Sequence, residues 1–210
     1  MKRLYPDLSQ TAEQKQFGVL TVHAYLLERQ GGNVLFYNPR SAADFDEIDS
    51  LGGIAHHCLS HCHEVDESLA DVAGRFGSRL CCHALVAPYL PEAVSADVFF
   101  GSPPREFLGG DIEVIHTPGH TDNSVCYRYR SPHGKTYLFT GDAIYLDGGE
   151  WKTIVVADDG GDEAELARSL AVLRDLEVDV VICSVSVGEM RIVEVTPDAW
   201  RSIIDGLVEE

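Results

Sequence analysis

The segment Leu59-Ser60-His61-Cys62-His63-Glu64-Val65-Asp66 places two histidines two residues apart, directly after an apolar run over 54–59. In an extended segment residues i and i+2 point the same way, so His61 and His63 aim both imidazoles at one point and Cys62 turns away. Neutral imidazole is the commonest protein ligand for a metal ion. Two later segments each add one donor beside a glycine. Thr117-Pro118-Gly119-His120-Thr121 offers His120, and Thr140-Gly141-Asp142 offers Asp142. Three imidazoles and a carboxylate suit zinc, and also iron or manganese. Each residue also has a plainer reading. His120 could cap its own tight turn, and Asp142 could bond the backbone of a simple turn. Asp66, with Glu64 and Glu67, is favourable acid at the start of a helix.

The order H-x-H, T-P-G-H-T, T-G-D resembles the metallo-β-lactamase superfamily, whose members carry T-H-x-H-x-D-H, T-P-G-H-T and T-G-D in that order. The resemblance covers nearly the whole chain and implies an α/β fold, the four-layer αββα sandwich, as one domain over 1–210. It also implies that His61, His63 and His120 hold a first metal and that Asp142 bridges it to a second. The second metal's remaining ligands do not carry over. Val65 stands for an aspartate, Asp66 for a histidine, and Ser186 lies where a late histidine belongs; no histidine follows His133. Valine cannot ligate, and Asp66 with Asp142 alone would leave a second ion mostly to water. The expectation is one divalent ion, zinc first, on His61, His63 and His120, with Asp142 as ligand or general base. Asp66 is then a second-site or supporting residue. Asn38 stands where the family carries a supporting aspartate.

The elements that must position these residues follow from pattern. Strands are expected over 19–28, 34–37, 54–59, 79–83, 112–116, 151–156, 179–183 and 191–195, with a hairpin of 124–130 and 136–140. Gly31-Gly32-Asn33 is a hairpin turn, and Gly101-Ser102-Pro103-Pro104 a loop. Helices are expected over 41–51 with Ser41 as N-cap, over 64–76 ended by Gly77, and over 162–176. A last one opens at Thr196-Pro197.

A chain of 210 residues with 45% hydrophobic and 24% charged residues is ordinary for a globular domain. No apolar run is long enough to span a membrane, and the first residues lack a signal-peptide core, so the cytoplasm is the expected compartment. A net charge of -18 repels phosphate backbones and anionic membranes, which argues against both as partners. The expected partner is a small-molecule substrate, and a homodimer stays open. The six cysteines form no C-x-x-C pair; Cys62 could enter a metal shell only if its backbone is not extended. Few arginines or lysines flank the motifs, which disfavours a highly anionic substrate. The resemblance therefore implies a single-metal hydrolase of an ester, thioester or phosphoester. Two alternatives accompany it. One is a non-haem iron oxygenase resembling the persulfide dioxygenases, with His61, His120 and Asp142 as its triad. The other is a non-catalytic descendant that binds a metal or ligand.

Overall fold

Alternation along the strands decides the layering. Within Ile112–His116, Val125–Arg130, Thr136–Gly141 and Val180–Cys183, the residues Ile112, Val114, Tyr127, Tyr137, Phe139 and Ile182 fall on one side. Ile115, Cys126, Leu138 and Val181 fall on the other. Both faces are buried, so both must be covered. The structure, a computed structural model, describes residues 1–16, 18–101, 105–189 and 192–209.

The first face packs on a seven-stranded sheet ordered Lys2–Tyr5, Leu8–Gln10, Tyr25–Leu27, Val34–Phe36, His56–Cys58, Arg79–His83, Val98–Phe100. Phe36 stacks on Phe139 with ring centroids 4.0 Å apart, at the centre of the interface. The six-stranded sheet runs Arg105–Phe107, Ile112–His116, Val125–Arg130, Thr136–Gly141, Val180–Cys183, Val193–Glu194. Its outer face is covered by helices α3 (Glu163–Arg174) and α4 (Pro197–Glu209) through Leu166, Leu170, Leu173, Trp200, Ile204 and Leu207. Each such side chain, taken fully out of water, contributes about 2 kcal/mol. Helices α1 (Phe45–Ser50) and α2 (Ser68–Phe76) lie against the first sheet, with Leu69 meeting Leu59, Leu80 and Cys82. The result is the αββα sandwich. A five-stranded sheet, Glu150–Lys152, Tyr145–Asp147, Val185–Val187, Leu20–Val22, Gln14–Gln16, completes the arrangement. No helix among the described residues is long and apolar enough to cross a membrane.

Several expected boundaries move, each for a local reason. The strand expected over 19–28 divides at His23 and Ala24, because Leu20–Val22 pairs with Val185–Val187 while Tyr25–Leu27 pairs with Leu8–Gln10. The chain crosses between sheets there, and Thr11 Oγ1 accepts the Ala24 N–H at 2.9 Å. The helix expected over 41–51 begins only at Phe45: the Ser41 hydroxyl accepts the Ala43 N–H in a local turn instead of capping. The helix expected over 64–76 is interrupted. A single 3₁₀ turn, Cys62–Glu64, precedes an extended Val65, and α2 starts at Ser68, whose N–H donates to Asp66 Oδ1 at 2.9 Å. Gly77 ends α2 in the left-handed region, as expected. The strand over 151–156 is only Glu150–Lys152 long, because the backbone beyond it turns to serve His120. Residues 102–104 of the Gly101-Ser102-Pro103-Pro104 loop, and Arg191 of the strand expected over 191–195, lie outside the described residues; Val193–Glu194 does pair with Val180–Cys183.

Two motif glycines are required by space. Gly141 has φ +56°, and a Cβ there would lie 2.7 Å from Ser60 Cβ. Gly119 has φ +143°, and a Cβ there would collide with the backbone of Leu166 at the start of α3. The helix cannot retreat, since Asp162 N–H donates to Gly119 O at 2.9 Å and Ser169 Oγ to Pro118 O at 2.7 Å. Gly119→Ala is therefore expected to lower the unfolding free energy by about 3 kcal/mol or more, measured by urea titration against the parent protein.

Candidate metal centre

The strand His56–Cys58 delivers His61 at its C-terminal end with extended backbone, φ -166° and ψ 178°. The expected extended H-x-H stops there. The 3₁₀ turn over Cys62–Glu64, not strand alternation, brings the second imidazole round. His120 follows the Pro118-Gly119 turn, and Asp142 follows the strand Thr136–Gly141. The four expected residues converge: one donor atom from each of His61, His63, His120 and Asp142 lies within 4.8 Å of the others. The three imidazole rings stand 4.9–5.1 Å apart, centroid to centroid, and close to mutually perpendicular. Asp142 Oδ2 is 3.4 Å from His61 Nε2 and 3.9 Å from His120 Nε2, and His63 Nδ1 is 3.2 Å from His120 Nε2.

The outer ring nitrogens settle which inner ones carry lone pairs. His120 Nδ1 donates to Ile154 O at 2.9 Å, and a carbonyl can only accept. His63 Nε2 donates to Asp159 Oδ2 at 2.8 Å. His61 Nδ1 donates to Ser60 Oγ at 2.9 Å, whose own hydrogen goes to the buried Glu64 carboxylate. Each outer nitrogen thus holds the proton, and His61 Nε2, His63 Nδ1 and His120 Nε2 turn lone pairs to a common point. His61 Nε2 is buried and has no hydrogen-bond partner. Lone pairs gathered in a desolvated place, with a carboxylate beside them, fit a divalent cation.

Burial lowers His61, yet the Asp142 and Glu64 carboxylates raise it overall, so the negative charge that favours a proton on this ring would equally favour a cation in its place. Burial, then the neighbouring His61, pushes His120 down to about 4, which keeps it a neutral ligand. Burial alone would raise Asp142, but His61, His120 and the Ser184 hydroxyl that donates to it hold its carboxyl well below the usual carboxylate range. Burial pushes Glu64 up to about 7 against the pull of His61 and Ser60.

The other candidates divide. Asp66 belongs to neither group of metal-capable residues found among the described residues. Its carboxylate accepts from Asn38 Nδ2 at 3.0 Å, from Arg40 at 2.8 Å and from the N–H and hydroxyl of Ser68. Val65 packs toward Leu59 and Leu69. Ser186 is buried, paired in its strand opposite Thr21 and Leu146. Cys62, not extended as expected, joins His63 and Asp159 in a second close group. That group shares His63 with the first, and its His63–Asp159 contact is the hydrogen bond that frees Nδ1. His83 and His116 stack on each other, 4.2 Å between centroids, and contribute to neither group.

Sequence reasoning missed Ser60, Glu64, Ser184, Asp159 and Arg40. Glu64 and Ser184 lie inside or beside the motifs, where an acid four residues after a serine was a readable signal. Asp159 lies 96 residues from His63, and Ile154 contributes only its carbonyl; neither carries a mark in the sequence. Arg40 sits with φ +52° in a loop whose other left-handed residue, Tyr37, has φ +67°. Each costs about 1–3 kcal/mol of backbone strain. The loop is held by Tyr37, whose hydroxyl donates to Ile182 O at 2.8 Å and accepts Gly141 N–H at 3.0 Å.

Comparison with known proteins yields a match of residues 52–185 to the family model described as the metallo-beta-lactamase superfamily. Among solved structures, the DIM-1 metallo-beta-lactamase superimposes with a TM-score of 0.69 at 14% identity, covering 98% of this chain and 96% of that one. A metallo-beta-lactamase from Pontibacter korlensis gives 0.68 at 16% identity, with 97% of each chain covered. A curated relative, the probable hydroxyacylglutathione hydrolase glo2 of Schizosaccharomyces pombe, is 46% identical over 37 residues, which is 18% of this chain and 14% of that protein's length.

Because the Asp159 carboxylate fixes the tautomer and tilt of His63, Asp159→Ala is expected to leave the protein folded but to weaken metal binding by about 10- to 100-fold. Competition with a chromophoric chelator measures this directly.

Proposed function

The chain belongs to the metallo-beta-lactamase superfamily, and from that membership we propose that it is a hydrolase working with one divalent cation, zinc first, on a small-molecule ester, thioester or phosphoester. The observation that carries the proposal is the set of three inner imidazole nitrogens whose outer partners all accept hydrogen bonds. His61, His63 and His120 would hold the ion, with Asp142 beside them. Bound there, a divalent cation supplies Lewis acidity toward a carbonyl or phosphoryl oxygen and lowers the pKa of water. Asp142, kept ionised and aimed by Ser184, either completes the ligand set or accepts the proton that water gives up. Glu64 and Ser60 hold His61 in place from behind.

A single ion is favoured over two. Asp66 already satisfies Asn38, Arg40 and Ser68, and the guanidinium upon it repels a second cation. The short likeness to a probable hydroxyacylglutathione hydrolase puts a thioester among the candidate substrates.

Elemental analysis of protein purified without chelator or immobilised nickel tests this first. About one equivalent of zinc, lost in His120→Ala, together with thioester or ester hydrolysis that falls at least 100-fold in the same variant, is the expected result. Two equivalents would overturn the single-ion reading. One equivalent of iron with oxygen uptake would move the protein to oxygen chemistry, and no metal after reconstitution would leave a binding protein.

A further inference from the structure

One cation reaches the cleft from outside the motifs. The cleft in front of His61, His63 and Asp142 has a volume of about 50 Å³, room for an ion and a small polar group. Its polar wall is made by Gln16, Asn38, Arg40, Glu64 and Ser184, and Arg40 is the one cationic side chain lining it among the described residues. A chain with 34 acidic and 16 basic residues thus brings a guanidinium to the edge of its candidate metal centre, in a loop that accepts left-handed backbone at that very residue.

The guanidinium is aimed, not loose. NH1 donates to Asp66 Oδ2 at 2.8 Å, and NH2 donates to the carbonyl of His63. Gln16, with its amide oxygen turned toward the arginine, accepts from Nε at 2.6 Å. Asp66 is itself fixed by Asn38 and Ser68, so the charged anchor does not follow the arginine if it moves. The second N–H of NH2 has no partner among the described residues, and the Arg40 side chain is 21% exposed. Of the contacts, only that to Gln16 is between a cation and a neutral side chain. A carboxylate entering the cleft would replace the neutral Gln16 oxygen by a charged acceptor and add the attraction between opposite charges.

We propose that Arg40 is the residue that selects an anionic substrate: with the cation on His61, His63 and His120 taking the reacting group, the guanidinium receives a carboxylate carried by the same molecule within the shared cleft. The inference rests on the single-metal reading above and deepens it by naming the substrate class, a carboxylate-bearing ester or thioester. Arg40 comes from the loop after Val34–Phe36, more than twenty residues ahead of His61, which is why the sparse basic residues around the motifs give no hint of it. A guanidinium suits this work better than an ammonium, because its fork can hold Asp66 and His63 while still offering an edge to a ligand.

The test uses two thiols of similar size on the full chain loaded with one equivalent of zinc. Both 2-mercaptoacetate and 2-mercaptoethanol anchor on zinc through sulfur, but only the first carries a carboxylate. Calorimetric titration is expected to show mercaptoacetate favoured, with the ratio of the two dissociation constants collapsing by about tenfold in Arg40→Gln and Arg40→Met and largely kept in Arg40→Lys. The same ratio in the parent and in Arg40→Gln overturns the proposal and leaves the metal reading standing. So does an equal loss of affinity for both thiols in Arg40→Gln, which would make Arg40 only a brace for the His63 turn. If neither thiol binds the zinc-loaded parent, no ligand is received beside the ion and this inference is overturned, whereas a parent that takes up no zinc would overturn the metal reading itself.

Discussion

Imidazole lone pairs that face one another without a proton or a cation between them repel, and few folded proteins bury such an arrangement unrelieved. Here three are forced together because each ring has its proton committed outward, to a serine hydroxyl, a carboxylate and a backbone carbonyl. Those three acceptors come from three different parts of the chain. Ser60 is fixed by Glu64 in the turn that follows a central strand. Ile154 belongs to the segment whose next turn is tied to His120 by the Val156 N–H. Asp159 is set by the turn that leads into α3. The sandwich, the helix behind the Pro118-Gly119 turn and the departure from strand geometry after Lys152 can all be understood as what holds these acceptors still.

The loop after Val34–Phe36 makes the complementary contribution. Two side-chain-bearing residues accept left-handed backbone within four positions, and a buried tyrosine hydroxyl binds the loop to both strands of the parallel pair that ends at Asp142 and Ser184. Strain of that kind persists only where the surroundings over-determine it. Its effect is to hold Asn38 and Arg40 over Asp66. Asp66, where the sequence resemblance pointed to a second metal, is instead engaged in a hydrogen-bonded ion pair.

Much of this was legible in the sequence. The alternation of 112–116, 124–130 and 136–140, the amphipathic spacing of α3 and the Thr196-Pro197 start of α4 read through directly. Gly119 and Gly141 stood out only as glycines beside the candidate ligands; that a helix backbone and a serine leave no room for a Cβ at either needed three dimensions. The four residues that converge were named from spacing, yet by a partly wrong route: alternation along a strand does not unite His61 and His63, since a 3₁₀ turn intervenes. That turn was hidden because the helical period of Val65, Leu69 and Val72 follows it directly, while Asp66 Oδ1 accepts the Ser68 N–H where the helix begins. Asp159, Ile154 and Arg40 could not be read at all. Their contacts to the site span from about twenty to nearly a hundred residues, and one is made by a carbonyl that any residue would supply.

The four converging residues come from opposite halves of the sandwich. His61 and His63 follow a strand of the first sheet, while His120 and Asp142 follow strands of the second. An ion gripped by all four would therefore be a reversible cross-link, added to the hydrogen bonds that already join the two sheets at that edge, such as Val125 N–H to Ser60 O and Cys62 N–H to Asn123 Oδ1. Like any tie between distant points of a chain, it removes freedom from the unfolded state as well as adding attraction in the folded one. The durability of the fold would then become a function of how much free metal surrounds it, so that scarcity of the ion would loosen the architecture from the same edge at which the cleft opens.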